Sequence, residues 1–81
     1  MDTIRYELIA AQGEGQVALI TFDEPGSPVN TMCQRWQDDL ASVTAQVLAD
    51  HQRLGAALKG IVLASAKSSF FAGADLKAIF Q

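Results

Sequence analysis

Apolar residues recur along this chain in different rhythms, and each rhythm predicts an element. The segment QVALITF, residues 16–22, is rich in Val, Ile, Thr and Phe. Val17, Leu19 and Thr21 fall on one face of an extended strand, and Ala18, Ile20 and Phe22 on the other. Both faces are largely apolar, so the pattern predicts a buried strand. A shorter apolar run, Leu8 to Ala11, precedes it. The Gly13-Glu14-Gly15 turn signal between them predicts an antiparallel hairpin.

The rhythm then changes. Asp23 to Asn30 holds Pro25, Gly26 and Pro28, which together specify a defined, non-helical loop. From Thr31 to Leu54 the apolar positions Met32, Trp36, Leu40, Val43, Val47 and Leu54 recur at steps of three, four and seven. That is the stripe of a long amphipathic helix, with Gln34, Arg35, Ser42, Gln52 and Arg53 away from it. Asn30 or Thr31 is placed to cap its start and Gly55 its end. The consecutive apolar residues Ile61, Val62 and Leu63 predict a second short buried strand, ended by Lys67-Ser68-Ser69. In the last segment, FFAGADLKAIFQ, Asp75 sits where a carboxylate favours a helix N-terminus, and Leu76 to Phe80 would form the first turns. The order strand, strand, long helix, strand, helix start is α/β with a crossover connection.

Composition narrows this picture. The chain has 81 residues, net charge −3, 49% apolar and 19% charged residues, which is the profile of one small globular unit. A chain of this size buries only about 60% of its unfolded surface and is marginal alone. No linker or repeat divides it. The single cysteine, Cys33, precludes an internal disulfide and suits a reducing, cytoplasmic compartment. No apolar run has the length of a membrane span, and the N-terminus does not read as a secretory signal. The six Lys and Arg residues are scattered, so no nucleic-acid partner is expected.

Candidate chemistry is sparse. The only histidine, His51, reads as a helix-surface residue. Cys33, expected in the first helical turn, reads as a packing cysteine without a partner histidine. Asp38, Asp39 and Asp50 read as a solvated helix face. No metal-ligand spacing and no phosphate-binding glycine pattern is present. The remaining candidate is the stretch FFAGADL. Gly73 permits backbone angles closed to other residues, and Ala72 and Ala74 are small enough to let a ligand approach the backbone. The N–H groups at a helix start near Asp75 would lack intrahelical acceptors and could serve a developing oxyanion. An ordinary strand-to-helix turn accounts for the same residues.

The blocks DEPGSPVNTM, GIVLASAKSS and FFAGADLKAI, in that order, resemble the N-terminal part of the crotonase (enoyl-CoA hydratase/isomerase) superfamily. The wording is most similar to the hydratase part of the fused enoyl-CoA hydratase/3-hydroxyacyl-CoA dehydrogenase chains. The resemblance covers nearly the whole sequence, and the last block is its most specific part. It implies the first portion of a crotonase-like ββα spiral fold, with residues 1–81 an incomplete segment of that domain. It implies that the Ala74 N–H is one of two donors to an acyl-CoA thioester oxygen. It further implies that Ala72, Gly73, Ala74, Asp75 and Leu76 line the CoA path, flanked by the loop Ser27 to Asn30, with Ser27 and, most directly, Val29 beside the CoA. The implied reaction adds water to a 2-enoyl-CoA in fatty-acid β-oxidation.

The chain departs from the family pattern in one respect. Gly73 is its last glycine, and no glutamate follows Glu24. The second oxyanion donor and the catalytic glutamates implied by the resemblance are therefore expected outside these residues, and the segment alone is expected to be inactive. No cofactor is expected on this segment, and NAD only on a dehydrogenase domain further along. The expected partners are acyl-CoA, the remainder of the crotonase-like domain and further copies of the chain. Two alternatives stay open: a non-catalytic, self-associating or interaction module, and another acyl-CoA reaction of the superfamily, such as isomerisation or hydrolysis.

Overall fold

The computed structural model describes residues 2–71. Its elements follow in the expected order: β1 (Ile4–Ala10), β2 (Gln16–Phe22), α1 (Gln34–Leu54), a 3-10 turn over Gly55–Ala57, and β3 (Leu58–Ser65). The helix expected to begin near Asp75 lies outside the described residues. The strands form one sheet in the order β1-β2-β3, with β2 central. β1 and β2 are the expected antiparallel hairpin, and β2 and β3 run parallel. A parallel pair needs a crossover, and α1 supplies it. The architecture is α/β, and it is compatible with the first part of a crotonase-like fold.

β1 begins at Ile4, ahead of the apolar run expected at Leu8. Ile4, Tyr6 and Leu8 alternate with Arg5, Glu7 and Ile9, and they pair with Phe22, Ile20 and Ala18. Those six residues share the face that meets the helix. The hairpin turn depends on Gly15, whose φ is +86°. A Cβ there would come within 2.5 Å of the Ala57 carbonyl oxygen, so no larger residue lets the turn pass beside the 3-10 turn.

Ile4, Ile20 and Phe22 from the sheet and Val43 from the helix form the buried core. Tyr6, Trp36, Leu40, Val47 and Phe71 pack around it. The helical stripe is as the spacing predicts at Trp36, Leu40, Val43 and Val47, whereas Met32 precedes the helix. In β2, Ala18, Ile20 and Phe22 are buried, whereas the opposite face, Val17, Leu19 and Thr21, is only half-covered. The expectation of a buried third strand is corrected outright. Ile61, Val62 and Leu63 are 54%, 46% and 56% exposed. β3 lies at the sheet edge, and α1 covers β1 and β2 more than β3. Apolar character states a preference for cover, and the described residues cover these three side chains only in part, Ile61 and Leu63 lying across an open groove from α1.

Two further expectations change. α1 begins at Gln34, not Thr31, and Cys33 occupies the N-cap position in extended conformation without a capping side-chain bond. Asn30 and Thr31 do not cap because both side chains are committed within the preceding loop. Asp39 and Asp50 are not merely solvated. One Asp39 carboxylate oxygen accepts from the Thr3 hydroxyl at 2.7 Å and the Thr3 N–H at 2.9 Å, and Asp50 accepts from the Tyr6 hydroxyl at 2.6 Å. They fasten α1 to β1 at two points. Asp38 is exposed, as expected, and accepts from Gln34 one turn earlier. Gly55 is the helix C-cap, with φ +55° and its N–H donated to the His51 carbonyl.

Candidate functional site

The parallel strands β2 and β3 end side by side, Phe22 beside Ser65. In open α/β sheets, ligands collect outside such carboxyl ends, where the connecting loops diverge. Two loops leave this end of the sheet. One is Asp23–Cys33, carrying Ser27 and Val29. The other starts at Ala66 and leads through Phe70 and Phe71 to Ala72. One backbone bond joins their bases, the Ala66 N–H donating to the Phe22 carbonyl, while the Asp23 N–H ties the first loop to the Thr3 carbonyl ahead of β1.

The first loop is closed on itself. The Glu24 N–H donates to Asn30 Oδ1 at 3.0 Å. Glu24 Oε1 in turn accepts from the Thr31 hydroxyl at 2.6 Å and the Thr31 N–H at 3.3 Å. The Thr31 hydroxyl bond outweighs burial and holds the Glu24 carboxyl below its usual range, so it stays an ionised acceptor. Within the ring, the Val29 N–H donates to Ser27 Oγ at 3.3 Å, and both residues are half-buried. Two prolines and this bonding give Ser27 and Val29 a fixed frame.

The second loop is held from the first. Asn30 is buried, and its Nδ2 donates to the Phe70 carbonyl at 2.8 Å and to Ser65 Oγ at 2.9 Å. The Phe22 carbonyl lies at 3.4 Å, a weaker third contact. Ser65 Oγ donates onward to the Ser69 carbonyl at 2.6 Å and accepts from the Lys67 N–H. One amide side chain thus gathers the end of β2, the proline loop and the approach to Ala72. At the margin, the Lys67 ammonium lies 2.9 Å from Asp23, and its hydrogen bond draws the Asp23 carboxyl below its usual range.

Of the candidate site residues, Ser27 and Val29 stand in the closed loop. Ala72, Gly73, Ala74, Asp75 and Leu76 lie outside the described residues, and the geometry is traceable up to Phe71. Sequence reading missed Glu24 and Ser65 as site-building residues, and it placed Asn30 at the end of the CoA-flanking loop without its clamping role. The only signal for Asn30 was its place after a Pro-Val pair and before a helix, which a cap explains equally well. Among the described residues no cluster of His, Cys, Asp and Glu could hold a metal ion, and no helix is long and apolar enough to cross a membrane. His51 is exposed on α1, with Leu48 and Leu58 beside it. Cys33 Sγ lies 3.9 Å from Glu24 Oε1.

An open groove of about 560 Å³ runs between α1 and β3. Trp36, Leu40 and Val47 line it on the helix side, Ile61 and Leu63 on the sheet side, and Phe70 and Phe71 at the end near the two loops. Trp36 stacks edge-on against Phe71 with ring centres 5.1 Å apart. Its indole Nε1 is buried and without an acceptor among the described residues.

No protein-family profile matches the chain. It is similar to proteins named fatty acid oxidation complex subunit alpha. The identity is 38% over 61 residues with that of Shewanella halifaxensis (strain HAW-EB4) and 36% over 61 residues with that of Shewanella amazonensis (strain ATCC BAA-1098 / SB2B). With that of Shewanella frigidimarina (strain NCIMB 400) it is 31% over 67 residues. These alignments take in 74% to 82% of this chain. The chain spans only 8% to 9% of the length of those relatives. The family resemblance carried by the three sequence blocks is borne out by these alignments.

Proposed function

We propose that this chain forms the first part of the hydratase region of a fatty-acid β-oxidation enzyme, one that adds water across the double bond of a 2-enoyl-CoA. The similarity to fatty acid oxidation complex alpha subunits supports the general assignment. The observation that carries the finer one is the Asn30 clamp. It holds the loop bearing Ser27 and Val29 beside the strand exit leading to Ala72, Gly73 and Ala74. A CoA thioester lying across this end of the sheet would have its pantetheine flanked by Val29 and its carbonyl oxygen near the Ala74 N–H. Addition of water at the β-carbon drives negative charge onto that oxygen, and a donor fixed beforehand stabilises it at no further reorganisation cost. The acid and base that move the water proton, and the second oxyanion donor, would come from residues beyond this segment, as would any NAD-dependent dehydrogenase step.

The test is hydration of a 2-enoyl-CoA by the complete protein, with and without Ala74→Pro, which deletes the N–H. The expected loss is about 10²- to 10³-fold in kcat. Turnover unchanged in a variant that remains folded by circular dichroism would reject the donor assignment. Exchange of enoyl double-bond position without hydration would move the reading to an isomerase.

The groove favours a second reading, in which this segment is an interaction module. Exposed Ile61, Leu63 and Phe70 call for cover, which the rest of a crotonase-like domain or further copies of the chain would provide. Titration of acyl-CoA into the 81-residue chain separates the readings. Saturable binding supports a partly formed CoA site, and oligomers without binding support the module.

A further inference from the structure

We infer that the proline loop Asp23–Cys33 and the aromatic end of the groove open and close as one unit, joined through Asn30, so that order on either side is passed to the other. The loop leaves the sheet after Phe22 and delivers the chain to Trp36 in the first turn of α1. Both rings line the groove, and Phe71 bridges them, its ring centre 5.3 Å from that of Phe22 and 5.1 Å from that of Trp36. Phe70 meets Phe22 edge-on at 6.5 Å. The two ends of the loop are thus held together from the apolar side by Phe70 and Phe71.

Asn30 holds the same parts together from the polar side. Its oxygen closes the loop by accepting from the Glu24 N–H at 3.0 Å, and its nitrogen donates to the Phe70 carbonyl at 2.8 Å. Through the Ser65 hydroxyl it also reaches the Ser69 carbonyl. The side chain that keeps the loop shut therefore also anchors the backbone that carries the Phe70 ring. Asn30 is buried, so these bonds face little competition from water. Opening the loop at Asn30 releases the Phe70 anchor. Moving Phe70 away leaves a buried Asn30 donor without its acceptor, which is costly. Neither half gives way cheaply alone, and that is the condition for a single opening unit. Such coupling is reciprocal. A partner covering Phe70 and Phe71 tightens the loop bearing Ser27 and Val29, and a ligand held by that loop tightens the aromatic end of the groove. The coupling does not depend on the hydratase reading, because it concerns backbone opening and not turnover.

The experiment is native-state amide hydrogen exchange on the complete protein, resolved by mass spectrometry to residues 23–33, 66–71 and 4–16. The loop reporters are the Glu24, Val29 and Thr31 N–H groups, and the strand-exit reporters are those of Ala66 and Lys67. The hairpin, with the Ala11 N–H bonded to the Gly15 carbonyl, is the control. Phe71→Leu removes the ring contacts and keeps an apolar side chain. It should speed loop exchange about 3- to 10-fold, with the hairpin changed by less than about twofold. Thr31→Val loses the hydroxyl bond to Glu24 on the loop side and should speed exchange at residues 66–71 by about 3- to 10-fold. Asn30→Asp keeps an acceptor for the Glu24 N–H and loses the donors. In that background Phe71→Leu should leave loop exchange within about twofold. If Asn30→Asp does not fold, the reciprocal pair Phe71→Leu and Thr31→Val carries the test. Loop exchange unchanged by Phe71→Leu, or raised no more than that of the hairpin, overturns the coupling. So does exchange at residues 66–71 unchanged by Thr31→Val, and so does transmission that persists undiminished in Asn30→Asp.

Discussion

Asp39 shows how a single side chain can carry more than its position on a helical wheel suggests. Burial alone would raise its pKa, but the Thr3 hydroxyl and N–H and the Asp2 N–H outweigh that and bring the carboxyl below its usual range. A lowered carboxylate pKa contributes stability that is present above the unfolded value and lost as pH falls through the folded one. Denaturant melts should therefore weaken below about pH 4, the ordinary aspartate range. Asp39→Asn should flatten part of that slope and lower stability at neutral pH by about 1–2 kcal/mol. An unchanged slope in the variant would show that the tether contributes nothing. The mirror case is Tyr6, where burial first and the Asp50 hydrogen bond second push the phenol up to about 12. Its contribution is complete below about pH 10 and is lost as pH rises toward 12, so Tyr6→Phe should flatten the alkaline limb. Neither tether was readable in the sequence. Asp39 lies 36 residues from Thr3, and Asp50 lies 44 from Tyr6. No local pattern distinguishes an aspartate facing water from one facing a neighbouring strand.

At the scale of elements, α1 was legible because its stripe and its core are the same residues. Val43, the central position of the stripe, is fully buried against Ile4, Ile20 and Phe22. Val43→Ala should cost about 2 kcal/mol, a large share of the stability of so small a chain, as read from urea unfolding. The helix start was less legible. Asn30 and Thr31 have capping side chains, and local preference chooses them. Tertiary closure spends both on the loop and leaves Cys33, which caps poorly, at the N-cap position. The first turn also has no acidic residue to meet the helix dipole. Cys33→Ser offers a hydroxyl to the open N–H groups and should add about 0.5–1 kcal/mol of stability. A destabilised Cys33→Ser would mean that the thiol contact with Glu24 matters more than the cap. The hairpin and the crossover were legible for the opposite reason. Turn glycines and alternation are local signals, and a crossover helix between strands admits few other arrangements.

Among the described residues, the molecule is a sheet with a helix laid along it and one side left open. The two tethers run in step, Thr3 to Asp39 and Tyr6 to Asp50, so α1 travels in the direction of β1 and opposite to β2. Among the described residues, that path covers the hairpin and leaves the β3 side of the same face only partly covered. The sequence foretold burial for Ile61, Val62 and Leu63 because it records what a strand needs, not what lies opposite. Ile61 and Leu63 pair with Ala18 and Ile20, so both belong to the helix-facing side yet stand exposed. Together with Phe70 they give the groove a lining that water disfavours, on an edge strand whose outer hydrogen-bonding groups can accept another strand. The 81-residue chain in isolation should therefore associate with itself. Sedimentation velocity should show its mean mass rising with concentration, and Leu63→Lys should shift it to monomer by placing a charge in the groove. Ser42→Lys, on the exposed face of α1, adds the same charge away from the groove and should leave association unchanged. A wild type that stays monomeric across the concentration range would mean that the groove is satisfied within the chain, and would remove the support for the interaction-module reading. Association abolished by Leu63→Lys and untouched by Ser42→Lys would identify the groove as the surface that a partner must cover.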